Sequence, residues 1–151
     1  MYLTVHGAAA LIIARAIPNP IIAFLVSLLS HFILDFIPHG DEFLTKSFTP
    51  PRALRRLFGA AIIDGILLVF FVLLYLVVTP DYQLSLLSAS LFGALLPDLL
   101  MASYLITKTR WLKKFTYFHS SLHNWLKYHL SWQQGIVVQV FTFTALWLSL
   151  I

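Results

Sequence analysis

The sequence predicts an all-α integral membrane protein, a bundle of about five transmembrane helices in short helical hairpins with one amphipathic helix at the interface. Three observations carry this. Of the 151 residues 60% are hydrophobic and only 11% charged, whereas about a quarter are charged in soluble domains. Apolar stretches recur at lengths suited to a hydrocarbon core about 30 Å thick. The basic residues gather in the connections between those stretches, as the positive-inside rule describes.

The first two spans, residues 3–17 and 21–37, are short, and Pro18-Asn19-Pro20 joins them as a tight turn because proline cannot continue a helix. Ala14-Arg15-Ala16 has the small-x-small form of a signal-peptide cleavage site. Residues 1–7 carry no Lys or Arg, however, and Pro18 follows at once, so the segment is read as a retained helix. Spans 60–78 and 84–106 form a second hairpin through Thr79-Pro80-Asp81. Residues 115–130, with Trp125 and Tyr128, read as the interfacial helix, and 135–151 as the last span. Residues 1–151 form a single transmembrane domain.

Lys46, Arg52, Arg55 and Arg56 lie in one long connection, and Lys108, Arg110, Lys113 and Lys114 in the next. Both are expected on the cytoplasmic side of a cell inner membrane, together with the N-terminus. The net charge of +4 and pI of 9.6 therefore reflect topology and attraction to anionic membrane lipid, not nucleic acid. The chain has no cysteine, which excludes disulfides, thiolate ligands and cysteine nucleophiles, so any metal must be held by nitrogen and oxygen.

Ionisable side chains in lipid are costly and mark function. His31 and Asp35, four apart, share one helix face, and His39 and Asp41 follow the break at Pro38. His119 and His123 repeat the same spacing, which lets one helix face offer two nitrogens to a metal. No Glu follows His119, so this is not a zincin arrangement. Asp98 follows Pro97, whose missing N–H leaves the Gly93 carbonyl without its usual donor. His6 and Asp64 lie in the first turns of outgoing helices. With about 1.5 Å of rise per residue, all these groups fall on the cytoplasmic side. The bland reading of His31 with Asp35 is helix-to-helix hydrogen bonding, that of His6, His119 and His123 is an interfacial role, and that of Asp64 and Asp98 is a carboxyl neutral through desolvation or paired with a neighbouring helix; their shared depth favours a metal site. Gln133 and Gln139 fit hydrogen bonding between helices. His6-Gly7 and Asp64-Gly65 also sit in related contexts, because Ser27-Leu28-Leu29-Ser30 recurs as Ser85-Leu86-Leu87-Ser88 and Pro38-His39 as Pro97-Asp98. A duplication would set His6 opposite Asp64 and His39 opposite Asp98.

These pieces resemble the bacterial membrane-bound metal-dependent hydrolase family. The carriers are His6, Leu96-Pro97-Asp98, His119 with His123, and Ser30-His31-Phe32-Ile33-Leu34-Asp35. Their order differs from the family's usual one, the acidic pair is reduced to Asp98, and no His-Arg-Gly precedes the paired His. The resemblance implies metal binding more than any particular substrate.

The residues together lead to an expected metal-dependent hydrolase of a phosphoester in a lipid or amphiphile. His31, Asp35, Asp98, His119 and His123, with His6 and Asp64, would hold one or two divalent ions, zinc or manganese. Asp41 or His39 would act as general base, and Arg55 or Arg56 would bind an anionic head group. The alternatives are a metal-ion or proton carrier and a non-catalytic scaffold. The sequence does not specify an oligomeric state.

Overall fold

The computed structural model describes residues 1–40, 50–123, 125–126 and 130–150. Within them the chain is helical throughout, with no strand: α1 (Leu3–Ala16), α2 (Pro20–Asp35), α3 (Pro50–Val78), α4 (Leu84–Thr107), α5 (Arg110–His123) and α6 (Trp132–Leu148).

Local chemistry sets the boundaries. The Asn19 side chain accepts from the N–H groups of Ile21 and Ile22 at 3.0 and 3.1 Å, with Pro20 opening α2, so the turn between α1 and α2 is also a helix cap. α3 begins ten residues before the expected start at residue 60, because Pro50-Pro51 can occupy a first helical turn and Ala53-Leu54-Arg55-Arg56-Leu57 are good helix formers. The arginines are therefore helical. α5 also departs from expectation. It starts at Arg110, after Lys108 closes α4 in the left-handed conformation (φ 56°), and ends at His123. α6 opens at Trp132, three residues early, because Ser131 and Gln134 form a capping box.

α1 is the hub, packing against α2, α3, α4 and α6. Its stretch Thr4 to Leu11 is buried all round, and Gly7-Ala8-Ala9-Ala10 allow neighbouring backbones to approach closely. α2 and α4 touch through Gly93, where a Cβ would lie 2.3 Å from the Phe24 carbonyl oxygen. The two hairpins are not packed as equivalents. α1 lies against α2, whereas α3 and α4 both lean on α1 with scarcely any direct contact between them.

The bundle is polar at one end and apolar at the other. Leu11, Tyr75, Leu87 and Leu150 form the apolar cluster, closed by Arg15, whose Nη1 donates to the Leu150 carbonyl at 2.7 Å. Two described helical stretches, Arg52–Val78 and Leu84–Thr107, are long and apolar enough to cross a membrane; α1 and α2 are shorter apolar helices. The first of these stretches turns its apolar side chains outward. Ile62, Ile63, Ile66, Val69, Phe70 and Val77 are all more than half exposed.

Candidate metal centre

Asp35, the last residue of α2, is the centre of the polar end. His31, one turn earlier on the same face, places Nε2 at 2.9 Å from Asp35 Oδ2. α5 brings His119 and His123 to the same oxygen, with their Nε2 atoms at 2.9 and 3.0 Å. The nitrogens also converge on one another: His119 Nε2 lies 3.1 Å from His31 Nε2 and 3.3 Å from His123 Nε2. From α1, His6 Nε2 stands 3.2 Å from Asp35 Oδ1, which the Met1 amino group also contacts. The His6 ring stacks on His31 with centroids 4.0 Å apart. α4 adds Asp98, whose Oδ1 is 3.9 Å from the Nε2 atoms of both His31 and His119.

Hydrogen-bond accounting shows what such a cluster needs. The His31 Nδ1 lies 2.7 Å from the Ala94 carbonyl oxygen. A carbonyl only accepts, so Nδ1 carries the proton and, in the neutral ring, Nε2 presents a lone pair. That lone pair faces the lone pairs of Asp35 Oδ2 at 2.9 Å. Two acceptors hold that separation only with a cation between them, either a proton or a metal. Three imidazoles address Oδ2, an oxygen with two lone pairs. The buried Nδ1 of His119 has no hydrogen-bond partner among the described residues.

The donor spacing fits a metal. Nitrogen and oxygen at roughly 2.0–2.1 Å in a tetrahedral zinc site stand about 3.3–3.4 Å from one another. Among His31 Nε2, His119 Nε2, Asp35 Oδ2 and Asp98 Oδ1, the distances of 2.9, 2.9, 3.1, 3.9 and 3.9 Å bracket that value. Asp35, His39 and His123 form a second group with metal-ligand spacing that shares the Asp35 carboxylate. These buried His and Asp groups could hold a metal ion.

Surrounding residues orient the ligands. The Ala94 carbonyl that fixes His31 lies about one turn before Pro97 in α4. His39 Nδ1 donates to the Ile37 carbonyl at 2.7 Å, and the His39 ring lies against that of His123 with centroids 5.0 Å apart. Gln139 of α6 donates to the His39 carbonyl at 3.2 Å and accepts from the Tyr2 N–H at 2.7 Å, tying α6 to both walls. Gly135 permits this approach, since a Cβ there would lie 2.3 Å from the His39 carbonyl oxygen. Gly40 turns the chain away at φ 70°.

Of the residues expected at the site, His6, His31, Asp35, His39, Asp98, His119 and His123 come together. Asp64 does not join them. Its Oδ1 accepts from Thr4 Oγ1 at 2.7 Å and from the Thr4 N–H at 3.2 Å, and its Oδ2 accepts from the Leu3 N–H. Asp64 thus caps α1 from a neighbouring helix, and the expected pairing of His6 with Asp64 gives way to contacts with Leu3 and Thr4. Arg55 and Arg56 are exposed near the start of α3, outside the buried cluster. Asp41 lies outside the described residues. Sequence reasoning missed the Ala94 carbonyl as a ligand orienter, whereas the hydrogen bonding between helices expected of Gln139 is present in its bonds to Tyr2 and His39. No protein-family model, curated protein or solved structure matches the chain.

Proposed function

We propose that this chain is a multi-pass protein of the cell inner membrane, with its N-terminus in the cytoplasm, that holds one or two divalent metal ions and hydrolyses a phosphoester of a lipid or another amphiphile. The observation that carries the metal reading is the convergence of His31, Asp35, Asp98 and His119 into one group with metal-ligand spacing, in which His31 Nε2 stands 2.9 Å from Asp35 Oδ2. Zinc or manganese suits such nitrogen and oxygen donors. The membrane reading is supported by α3, whose most apolar residues face outward where a soluble core helix would bury them. The exposed basic residues Arg55, Arg56, Lys113 and Lys114 sit on helices that frame the His/Asp end, consistent with a cytoplasmic face.

His31, Asp35, Asp98 and His119 would hold the first ion. Asp35 would bridge to a second, held by His39 and His123. Bound divalent metal supplies Lewis acidity toward water and phosphoryl oxygen. The protein's own residues do the rest. Burial of His6, His31, Asp35 and His119 excludes bulk water and strengthens every charge interaction among them. His39, with Nδ1–H committed to Ile37, offers its other nitrogen as a base when one ion is bound. Arg55 or Arg56 would steady an anionic head group. The hydrolase half of the proposal leans on the resemblance carried by His6, Leu96-Pro97-Asp98, the His119 and His123 pair and the Ser30 to Asp35 element.

The test is protein purified without chelator, assayed for metal content, for turnover of a panel of lipid phosphates, and for divalent-ion uptake in liposomes. The proposal expects stoichiometric metal and phosphate release that His31→Ala abolishes. Metal-loaded protein that releases no phosphate but moves ions would replace it with a carrier.

A further inference from the structure

A cleft of about 230 Å³ runs between α3 and α4 and ends at the metal centre. Its walls are Leu57 and Ala61 on one side and Ala102 and Leu105 on the other, and Asp98 and His123 stand at its inner end. The cleft exists because α3 and α4 lean on α1 and not on each other. Cluster exposure follows the same line. The side chains of His6, His31, His119 and Asp35 are fully covered, whereas those of Asp98 and His123 are 19% and 14% exposed. Among the described residues, the two ligands that can be reached are therefore the two that line an apolar cleft.

Resting on the hydrolase reading above, we infer that this cleft is the lateral entry for an acyl-bearing phosphoester, with its hydrocarbon chain between α3 and α4 and its phosphate at Asp98 and His123. A cleft with mostly apolar walls and with Asp64, Asp98 and His123 as its ionisable side chains matches one occupant chemistry, an amphiphile whose phosphate meets the metal that Asp98 and His123 would help to hold. The outward apolar face of α3 continues from the cleft into the expected hydrocarbon phase, so a lipid reaches it without leaving the bilayer. Lipid tails are as apolar as these walls, so the cleft adds little binding energy of its own. It selects by shape, while the phosphate supplies capture.

The experiment uses the full chain, metal-loaded, in phosphatidylcholine vesicles containing a small fraction of phosphatidic acid with a photoreactive acyl chain. Labelling at 57–61 and 99–105 should exceed labelling of the outer α3 face about tenfold, the ratio that about 1.4 kcal/mol of head-group capture gives. Leu105→Trp should remove that excess and the turnover of acyl phosphates, while leaving metal content and turnover of a chain-free aryl phosphate within about twofold. Val77→Trp, on the outer face, should change nothing. Uniform labelling along α3, or acyl turnover that survives Leu105→Trp, would overturn the inference while leaving the metal reading intact. Absence of metal would sink the hydrolase reading itself. Because the chain has no cysteine, Ala102→Cys gives a unique handle: a disulfide-linked dimer in the membrane would assign the cleft to a second copy and overturn the lipid proposal.

Discussion

Asp35→Asn preserves the shape of the side chain that every member of the cluster addresses and removes its charge. In the structure this carboxylate meets three imidazole nitrogens at 2.9, 2.9 and 3.0 Å through Oδ2 and a fourth at 3.2 Å through Oδ1. Structural zinc sites bind with roughly 10–16 kcal/mol, about 2.5–4 kcal/mol for each of four donors. Asparagine keeps an oxygen donor but no charge, so a loss of at least about 3 kcal/mol is expected, or about 10²-fold in Kd. The assay is metal content by elemental analysis after purification in detergent, with Kd from competition against a chelator of known affinity. A second readout is thermal unfolding. Metal at about 100 times Kd should stabilise the unaltered protein by about 2.7 kcal/mol, and that increment should fall to about 0.4 kcal/mol in Asp35→Asn at the same metal concentration, which is then near the variant's own Kd. If the cluster is only helix glue, the substitution changes stability but neither protein carries metal. Unaltered protein free of metal, or Asp35→Asn with unchanged Kd, would refute the reasoning.

Asp64→Ala should leave metal stoichiometry unchanged while lowering stability by about 1–2 kcal/mol, because the first N–H groups of α1 lose their acceptor; loss of metal would show that Asp64 belongs to the site after all. Gly93→Ala should cost about 1–3 kcal/mol by forcing α4 off the Phe24 carbonyl. Gly65→Ala, which meets nothing within 4 Å, should be neutral or stabilising by up to about 1 kcal/mol. Equal melting shifts for the two would contradict the packing described. For orientation, single cysteines at Asp81 and Lys113 separate the two faces: a membrane-impermeant thiol reagent should modify Asp81→Cys in intact cells and Lys113→Cys only after the membrane is opened. The reverse pattern would invert the proposed topology.

The sequence by itself determined the helical class, the proline-bounded turns and the collection of ionisable groups at one end of the molecule. These are local or compositional properties. Apolar runs set helix content, proline stops helices, and four-residue spacing places His31 with Asp35 and His119 with His123 on shared faces. Boundaries were less legible where short polar motifs decide them, as with the capping box of Ser131 and Gln134 or the extension of α3 through Arg52 to Gly59. Tertiary structure alone decided which polar residues share a site. His6 and Asp64 looked alike in sequence, each a lone ionisable group early in an apolar helix. Burial of α1 at the hub turned one toward Asp35 and left the other to cap Leu3 and Thr4. Helix packing likewise brought the Ala94 carbonyl to His31 and opened the cleft that exposes Asp98 and His123. Spacing along one helix fixes only which side chains share its face. What those faces meet depends on how closely neighbouring backbones approach, and here glycine and alanine positions on α1, α4 and α6 set that approach.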